Sequence, residues 1–397
     1  MANTILTTTS VLRKSLMILH QKLNFVGNIH RGYDSKFAVD GAKIGDTLVI
    51  RLPNEYPTGT GATITDADTT EQSTSITVST QRWVAPSFLS SELTLSLDDF
   101  AERVAEPAMT RLAAQVEADA LTMSKDVYRQ VGTPGTVPST FLTYATAGAV
   151  LTDELAPTSK RCFHLKPVDM ATIVDALKGL FQSSENIASQ YREGVMGEAI
   201  GGKWYQNTHM IRHTNGNKVA SVTISGASQT GATLTLGSLT AADTFKKGQV
   251  FTIAGVNRVH PETKVDMGEL QQFVVTADAT AAGATLAIGI APSIIVSGAT
   301  QNVSGSPANG AAVVFSGTAS LTYGLDLHFY KDAFALATAD LVMPKGVDMS
   351  GREVMDDISL RMVRQYEVGS DKLRTRFDVL YGFKTIRRQL ACRIASN

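Results

Sequence analysis

His209 and His213 are the first pair in this sequence whose types and spacing could do chemistry. On one helix face an i, i+4 pair offers two imidazoles to a zinc ion, with a glutamate beside the first as general base. No Glu follows His209, however, and the flanking Asn207-Thr208 and Thr214-Asn215-Gly216 read as strand and turn. On a strand the two residues lie about 13 Å apart, too far to share an ion. Asp66 with Asp68, and Asp356 with Asp357, are acidic pairs in polar loops and read as solvated charge rather than a cation site. Gly201-Gly202-Lys203 lacks the Ser or Thr that completes a phosphate loop. There is no G-x-S-x-G elbow, no G-x-G-x-x-G after a strand and no paired C-x-x-C. Asn302-Val303-Ser304 matches a glycosylation sequon, which has no meaning without a secretion signal. The reading is of a chain that is not an enzyme, with no catalytic residue, no cofactor or cofactor-binding residue and no metal ligand.

Charge is uneven in one place. Arg361, Arg364, Lys372, Arg374, Arg376, Lys384, Arg387, Arg388 and Arg393 face only Glu367, Asp371 and Asp378 in the closing segment. Strand alternation divides these between two faces, which reads as a solvated sheet face, or as a surface for an acidic partner or nucleic acid. The whole chain of 397 residues has a formal net charge of -1, which argues against a surface that clamps nucleic acid or anionic membrane. Two cysteines are too few for a disulfide framework, and Met1 to Gln21 lacks a signal-peptide pattern, so an intracellular origin is expected. No uncharged apolar run approaches the roughly 20 residues of a membrane helix.

The elements that must position these residues centre on Ser96 to Gln130. Phe100, Val104, Ala108, Leu112 and Val116 recur every four residues, with Ala101, Ala105, Met109 and Ala113 in the adjacent row. Ser96 is a fitting N-cap, with Asp98 and Asp99 in the first turn. Pro107 predicts a restart, giving a helix over Pro107 to Gln130 about 35 Å long. Before it, Val11 to Phe25 reads as an amphipathic helix in need of a partner surface. Ile44 to Leu52 and Ser73 to Thr80 read as a long two-stranded excursion with a polar tip, marginal by itself. Pro167 to Phe181 reads as a second helix, followed by a glycine-punctuated hairpin ending at Asn207 to His213. From Asn217 to Ser320 six short β-rich runs are separated by small polar residues: Lys218 to Ile224, Thr233 to Leu236, Gln249 to Ile253, Gln271 to Thr276, Thr285 to Ile290 and Ala311 to Phe315. No residue from Ala279 to Leu325 is charged. This predicts an inserted barrel or sandwich. Ile358 to Tyr366 and Thr375 to Tyr381 alternate as an antiparallel pair, to which Leu390 to Ile394 could add a third strand.

In this order of parts, certain stretches resemble the tailed-bacteriophage major capsid proteins of the Hong Kong 97 fold. They are Lys43-Ile44-Gly45-Asp46-Thr47, Leu95-Ser96-Leu97-Asp98-Asp99-Phe100 with Pro107-Ala108-Met109, Gly248 to Gly255, and Arg376-Phe377-Asp378-Val379-Leu380-Tyr381-Gly382. The likeness is greatest to the short-tailed-phage coat proteins that carry an inserted β-barrel domain. The resemblance implies an α+β fold with an N-terminal arm (1–40), an extended loop (41–80), a peripheral domain with a spine helix (81–139 and 352–397), an axial domain (140–216 and 321–351) and an inserted all-β domain (217–320). It implies a shell subunit that self-assembles into hexamers and pentamers, with arm and hairpin lying on neighbouring subunits. The partners implied are a scaffolding protein, a portal protein, a decoration protein and double-stranded DNA held by weak non-specific contact, with no membrane. The place implied is the virion, after assembly in the host cytoplasm. An encapsulin-like compartment shell or a tail or adhesion protein is the alternative. One branch of the fold cross-links its shell by Lys–Asn isopeptide bonds. Here no lysine occurs between Lys43 and Lys125, so the shell is expected to be non-covalent.

Overall fold

A computed structural model describes residues 8–34, 47–54, 56, 71–89, 105–177 and 197–397. Asp66, Asp68, Lys43 and the helix start expected at Ser96 lie outside the described residues. The chain divides into two units: Met1–Arg51, Ser73–Leu121 and Phe334–Lys384 form one, and Leu52–Gln72, Thr122–Ala333 and Thr385–Asn397 the other.

In the first unit the spine helix runs over Glu106–Leu121. Its buried residues Ala108, Leu112, Val116 and Ala120, with Met109, Ala113, Glu117 and Leu121 beside them, form two adjacent rows four residues apart. The expected continuation to Gln130 does not occur, because the rows run into Ser124 and Lys125 and the chain tightens into a 3-10 turn at Thr122–Asp126. The helix is therefore about 24 Å long. The helix Thr8–Lys22 packs on it and on the strand Met349–Met355, burying Val11, Leu12, Leu16 and Leu19. The arm thus finds its apolar partner surface on its own chain. Glu117 fixes the join: its carboxylate accepts the Phe25 N–H, and the Val26 N–H at 3.3 Å, capping the short helix Phe25–Asn28.

A seven-stranded sheet completes this unit, in the order His30–Asp34, Phe334–Ala339, Lys372–Thr385, Ile358–Glu367, Met349–Met355. Thr80–Val84 and Ser87–Leu89 also pair with Lys372–Thr385. The expected antiparallel pair is present, with Arg361 opposite Asp378 and Glu367 opposite Lys372. The excursion is a separate two-stranded ladder, Thr47–Arg51 on Ser73–Thr77. It sets Ile76 inward and leaves Val49 exposed.

The second unit is built on another seven-stranded sheet, ordered Gln130–Val131, Ala391–Ala395, Thr322–Tyr330, Arg161–Leu165, Gly202–Gln206, Glu198–Ala199, with Arg212–Thr214 also on Thr322–Tyr330. The strand expected at Leu390 to Ile394 forms here, between Gln130–Val131 and Thr322–Tyr330, rather than beside the closing hairpin. Alternation identifies a strand but carries no record of its partner. A helix at Phe141–Asp153, not anticipated from its threonines, buries Tyr144, Ala147, Gly148 and Leu151 at helical spacing. Thr146 and Thr152 fit because their hydroxyls donate back to the carbonyls of Leu142 and Gly148, at 2.8 and 3.0 Å. The described part of the next helix is Pro167–Leu177.

All six β-rich runs form strands: Val222–Ile224, Gly231–Gly237, Val250–Val259, Asp266–Val275, Leu286–Ile294 and Ala312–Phe315. They close into a barrel, which removes every sheet edge. Its interior holds Leu234, Leu236, Phe245, Phe251, Phe273 and Phe315, among others. The chain leaves the host sheet after Thr214 and returns at Thr322, and these two are register partners.

Candidate assembly site

The basic closing segment is partly paired from within. Asp378 is fully buried between two guanidinium groups, Arg361 on Oδ2 and Arg376 on Oδ1, each at 2.8 Å, and Gln81 donates to Oδ1 at 2.9 Å. Arg374 pairs with Glu367 at 2.8 Å, and Lys384 donates to the Ser75 carbonyl at 2.8 Å. Arg393 lies on neither sheet face open to solvent. It is fully buried and donates to the Gly248 carbonyl at 2.6 Å. Five of the nine basic residues read from the sequence are therefore engaged in ties within the chain. Outward, beside the exposed Lys372, Arg374 and Arg376, stand two apolar side chains: Trp83, 60% exposed under the Arg376 guanidinium at 5.3 Å, and Val368, 84% exposed at the hairpin tip.

A second set of ties joins the barrel to its host sheet. The buried Arg258 reaches from the barrel to Asp153 at the end of its helix, 2.7 Å, and to Glu269 across the barrel hairpin, 2.8 Å. Burial pushes the Arg258 guanidinium down, but Asp153 and Glu269 outweigh it and hold it charged. Arg129 lies 3.3 Å from Glu154, whose carboxyl burial pushes above the usual range against the pull of Arg129 and Arg258. The Gln272 side-chain amide grips the Gln130 backbone, its Oε1 accepting the Gln130 N–H at 2.9 Å and its Nε2 donating to the Gln130 carbonyl at 3.0 Å, and Lys247 pairs with Asp126 at 2.8 Å. Tyr128 packs with Val250, Val274 and Ala291 in the apolar patch between these polar contacts. The barrel is held by polar contacts around an apolar centre, the anatomy of a packed interface.

The residues weighed for chemistry are dispersed. His209 is exposed, while His213 is buried and lies 3.1 Å through Nε2 from the Asn215 side chain. Asp356 and Asp357 form the two-residue turn between Met349–Met355 and Ile358–Glu367, with φ of 48° and 63°. Aspartate tolerates that left-handed backbone. Gly202 is a packing glycine, since a Cβ there would stand 3.1 Å from the Phe163 ring and 3.2 Å from the Arg161 carbonyl. Asn302 donates to the Ser293 carbonyl at 2.6 Å inside a barrel loop. Among the described residues no three His, Cys, Asp or Glu side chains gather as metal ligands. Burial pushes the Cys162 and Cys392 thiols up to about 11 and about 12, so neither is a reactive thiolate.

The family model described as P22 coat protein, gene protein 5, matches residues 38–392. The chain belongs to the P22 coat protein family. This coat protein is a structural subunit of an icosahedral bacteriophage capsid, its place is the virion and its role is structural. Its architecture is α+β with a closed inserted barrel, as expected from the sequence. Membership disfavours the compartment and tail alternatives. No curated protein matches the coat protein's sequence. Solved structures similar to it include one from Mycobacterium phage Che8, 11% identical over 94% of this chain and 90% of that one, with a TM-score of 0.45. The mature capsid of bacteriophage PhiM1 is 9% identical over 94% and 87%, TM-score 0.45. A virus-like particle from Pyrococcus furiosus is 6% identical over 98% of both chains, TM-score 0.37.

Two contacts escaped the sequence reading for different reasons. Glu117 interrupts the row Met109, Ala113, Leu121, and a lone carboxylate in an apolar row is a signal that could have marked a buried cap. The tie between Asp153 and Arg258 spans 105 residues and leaves no local trace.

Proposed function

We propose that this coat protein assembles with copies of itself into hexamers and pentamers, and that these close a shell around double-stranded DNA. The observation that carries the reading is the family match over residues 38–392, nearly the whole chain. A net charge of -1 and the internal pairing of Arg361, Arg374 and Arg376 support weak, non-specific contact with the genome rather than a clamp. Assembly takes place in the host cytoplasm with a scaffolding protein, the portal occupies one vertex, and a decoration protein is a further outer partner. The proposed division is an arm (1–40), an extended loop (41–80), a peripheral domain (81–139 and 352–397), an axial domain (140–216 and 321–351) and the inserted domain (217–320). Rings of one subunit type require head-to-tail contacts that close by rotation.

The shell is held without covalent links, by burial of roughly 2,000 Å² or more per obligate pair. Negative-stain microscopy of the protein expressed with its scaffold should show closed particles, and these should run as one chain-sized band after boiling in detergent. Monomers or fibres in place of particles would overturn the shell reading. A ladder of oligomers that survives reduction would overturn the non-covalent one.

A further inference from the structure

Behind the closing strand Ala391–Ala395 lies a group of buried side chains whose hydrogen bonds do not close. Asp169 stands in the first turn of Pro167–Leu177, Asp326 on Thr322–Tyr330, and both side chains are fully buried. One oxygen of each is engaged. Asp326 Oδ1 accepts the Lys166 N–H at 3.0 Å. Asp169 Oδ2 accepts the Ser396 hydroxyl and lies 3.4 Å from Lys166 Nζ, which also donates to the Asn397 backbone oxygen. The other two oxygens, Asp169 Oδ1 and Asp326 Oδ2, are buried without a hydrogen-bond partner. So is the hydroxyl of Tyr144, whose own ionisation is disfavoured by its burial and by both carboxyls.

The charge count poses the same problem as the bond count. Two carboxylates against one ammonium leave a negative charge uncompensated, and two like charges at such a site cannot both ionise. Both carboxyls converge on one residue, Asp169 on the Lys166 ammonium and Asp326 on the Lys166 N–H. We propose that Asp169 and Asp326 hold one proton between them at neutral pH, and that this proton is the latch that keeps the end of the closing strand in its sheet. With the proton in place one carboxyl donates to the other, Asp169 remains on Ser396, and the pair and Lys166 sum to zero charge. Without it the carboxylates repel and the Ser396 contact is the weakest to yield. The closing strand also carries Arg393, whose bond to Gly248 ties the barrel to the sheet, so release of the strand loosens the barrel.

The groups facing the pair are Lys166 from the preceding turn, Tyr144 from Phe141–Asp153, and Ser396 and Asn397 from the closing strand. Burial first, and then the charge of Asp169, pushes the Asp326 carboxyl well above the usual range. A carboxyl raised on folding contributes stability that is full below about pH 3.9, its unfolded value, and is lost as pH rises through the folded value. The latch is thus closed in acid and opens on the alkaline side.

The test uses the full chain. Infrared spectra with 13C-labelled aspartate should show a protonated carboxyl stretch at neutral pH that disappears in both Asp326→Asn and Asp169→Asn. Amide exchange of 391–397, corrected for the intrinsic pH dependence, should lose protection by about tenfold per pH unit above the folded value. In Asp326→Asn it should not change with pH. Absence of a protonated aspartate in the wild-type chain overturns the shared proton. Wild-type protection of 391–397 that stays constant as the carboxyl band titrates overturns the latch. Both decisive readings are made on the unaltered chain.

Discussion

Three histidines illustrate how far a residue's type underdetermines its role. His164 stacks on Tyr205 and Phe329, His328 lies flat on Phe163 at 3.6 Å between centroids, and His213 packs its edge on Tyr323. Burial brings all three down from 6.5 to about 3, so they are neutral members of the core. Between these values the unfolded chain binds more protons than the folded one. Stability is therefore full above pH 6.5 and falls in acid by about 1.4 kcal/mol per pH unit for each histidine. His328→Phe keeps the stack and removes the titration, so its urea midpoint should fall less between about pH 7.5 and about pH 5.5 than that of the wild-type chain. Equal falls would place the acid sensitivity elsewhere. Arg161 is the same lesson for a cation. Buried, it donates to the carbonyls of Gly148, Ala156 and Pro157 and ends the helix Phe141–Asp153.

Between elements, close approach of backbone is what sets the hairpin Thr47–Arg51 and Ser73–Thr77 on its unit. Its root crosses Gly382, where a Cβ would stand 2.2 Å from the Thr77 carbonyl oxygen and 2.8 Å from its carbon. Neither is the end of a flexible side chain, so relief requires the backbone to move. Gly382→Ala should destabilise the chain by about 1–3 kcal/mol and raise amide exchange at 73–77. A thermal midpoint equal to wild type, with unchanged exchange, would show that the root is free to shift. The spine helix meets the sheet by a more usual device: Arg82 grips Asp119 through two bonds of 2.8 and 2.9 Å, and the Tyr381 hydroxyl donates to the same carboxylate at 2.5 Å.

For the molecule as a whole, the barrel is the part most able to stand alone. It has its own apolar interior, no open edge, and ends brought together at Thr214 and Thr322. The isolated fragment 217–320 should give a dispersed amide spectrum and a cooperative unfolding transition. Collapse and aggregation would mean that Gln130, Asp153 and Arg393 are part of its fold rather than its mounting.

What the sequence by itself determined is whatever depends on local period. The apolar rows of the spine helix, the stripe of Thr8–Lys22, the six barrel strands and the closing hairpin each repeat their pattern within a few residues, and burial of one face enforces it. Tertiary structure decided the partners. It placed the arm on its own spine, moved Ala391–Ala395 to the other sheet, and turned a basic segment into ties to Asp378, Glu367 and the Ser75 and Gly248 carbonyls. These contacts join residues far apart in the chain, and their strength depends on how deeply the surrounding fold removes them from water. Neither distance nor burial is written in the type of the residue.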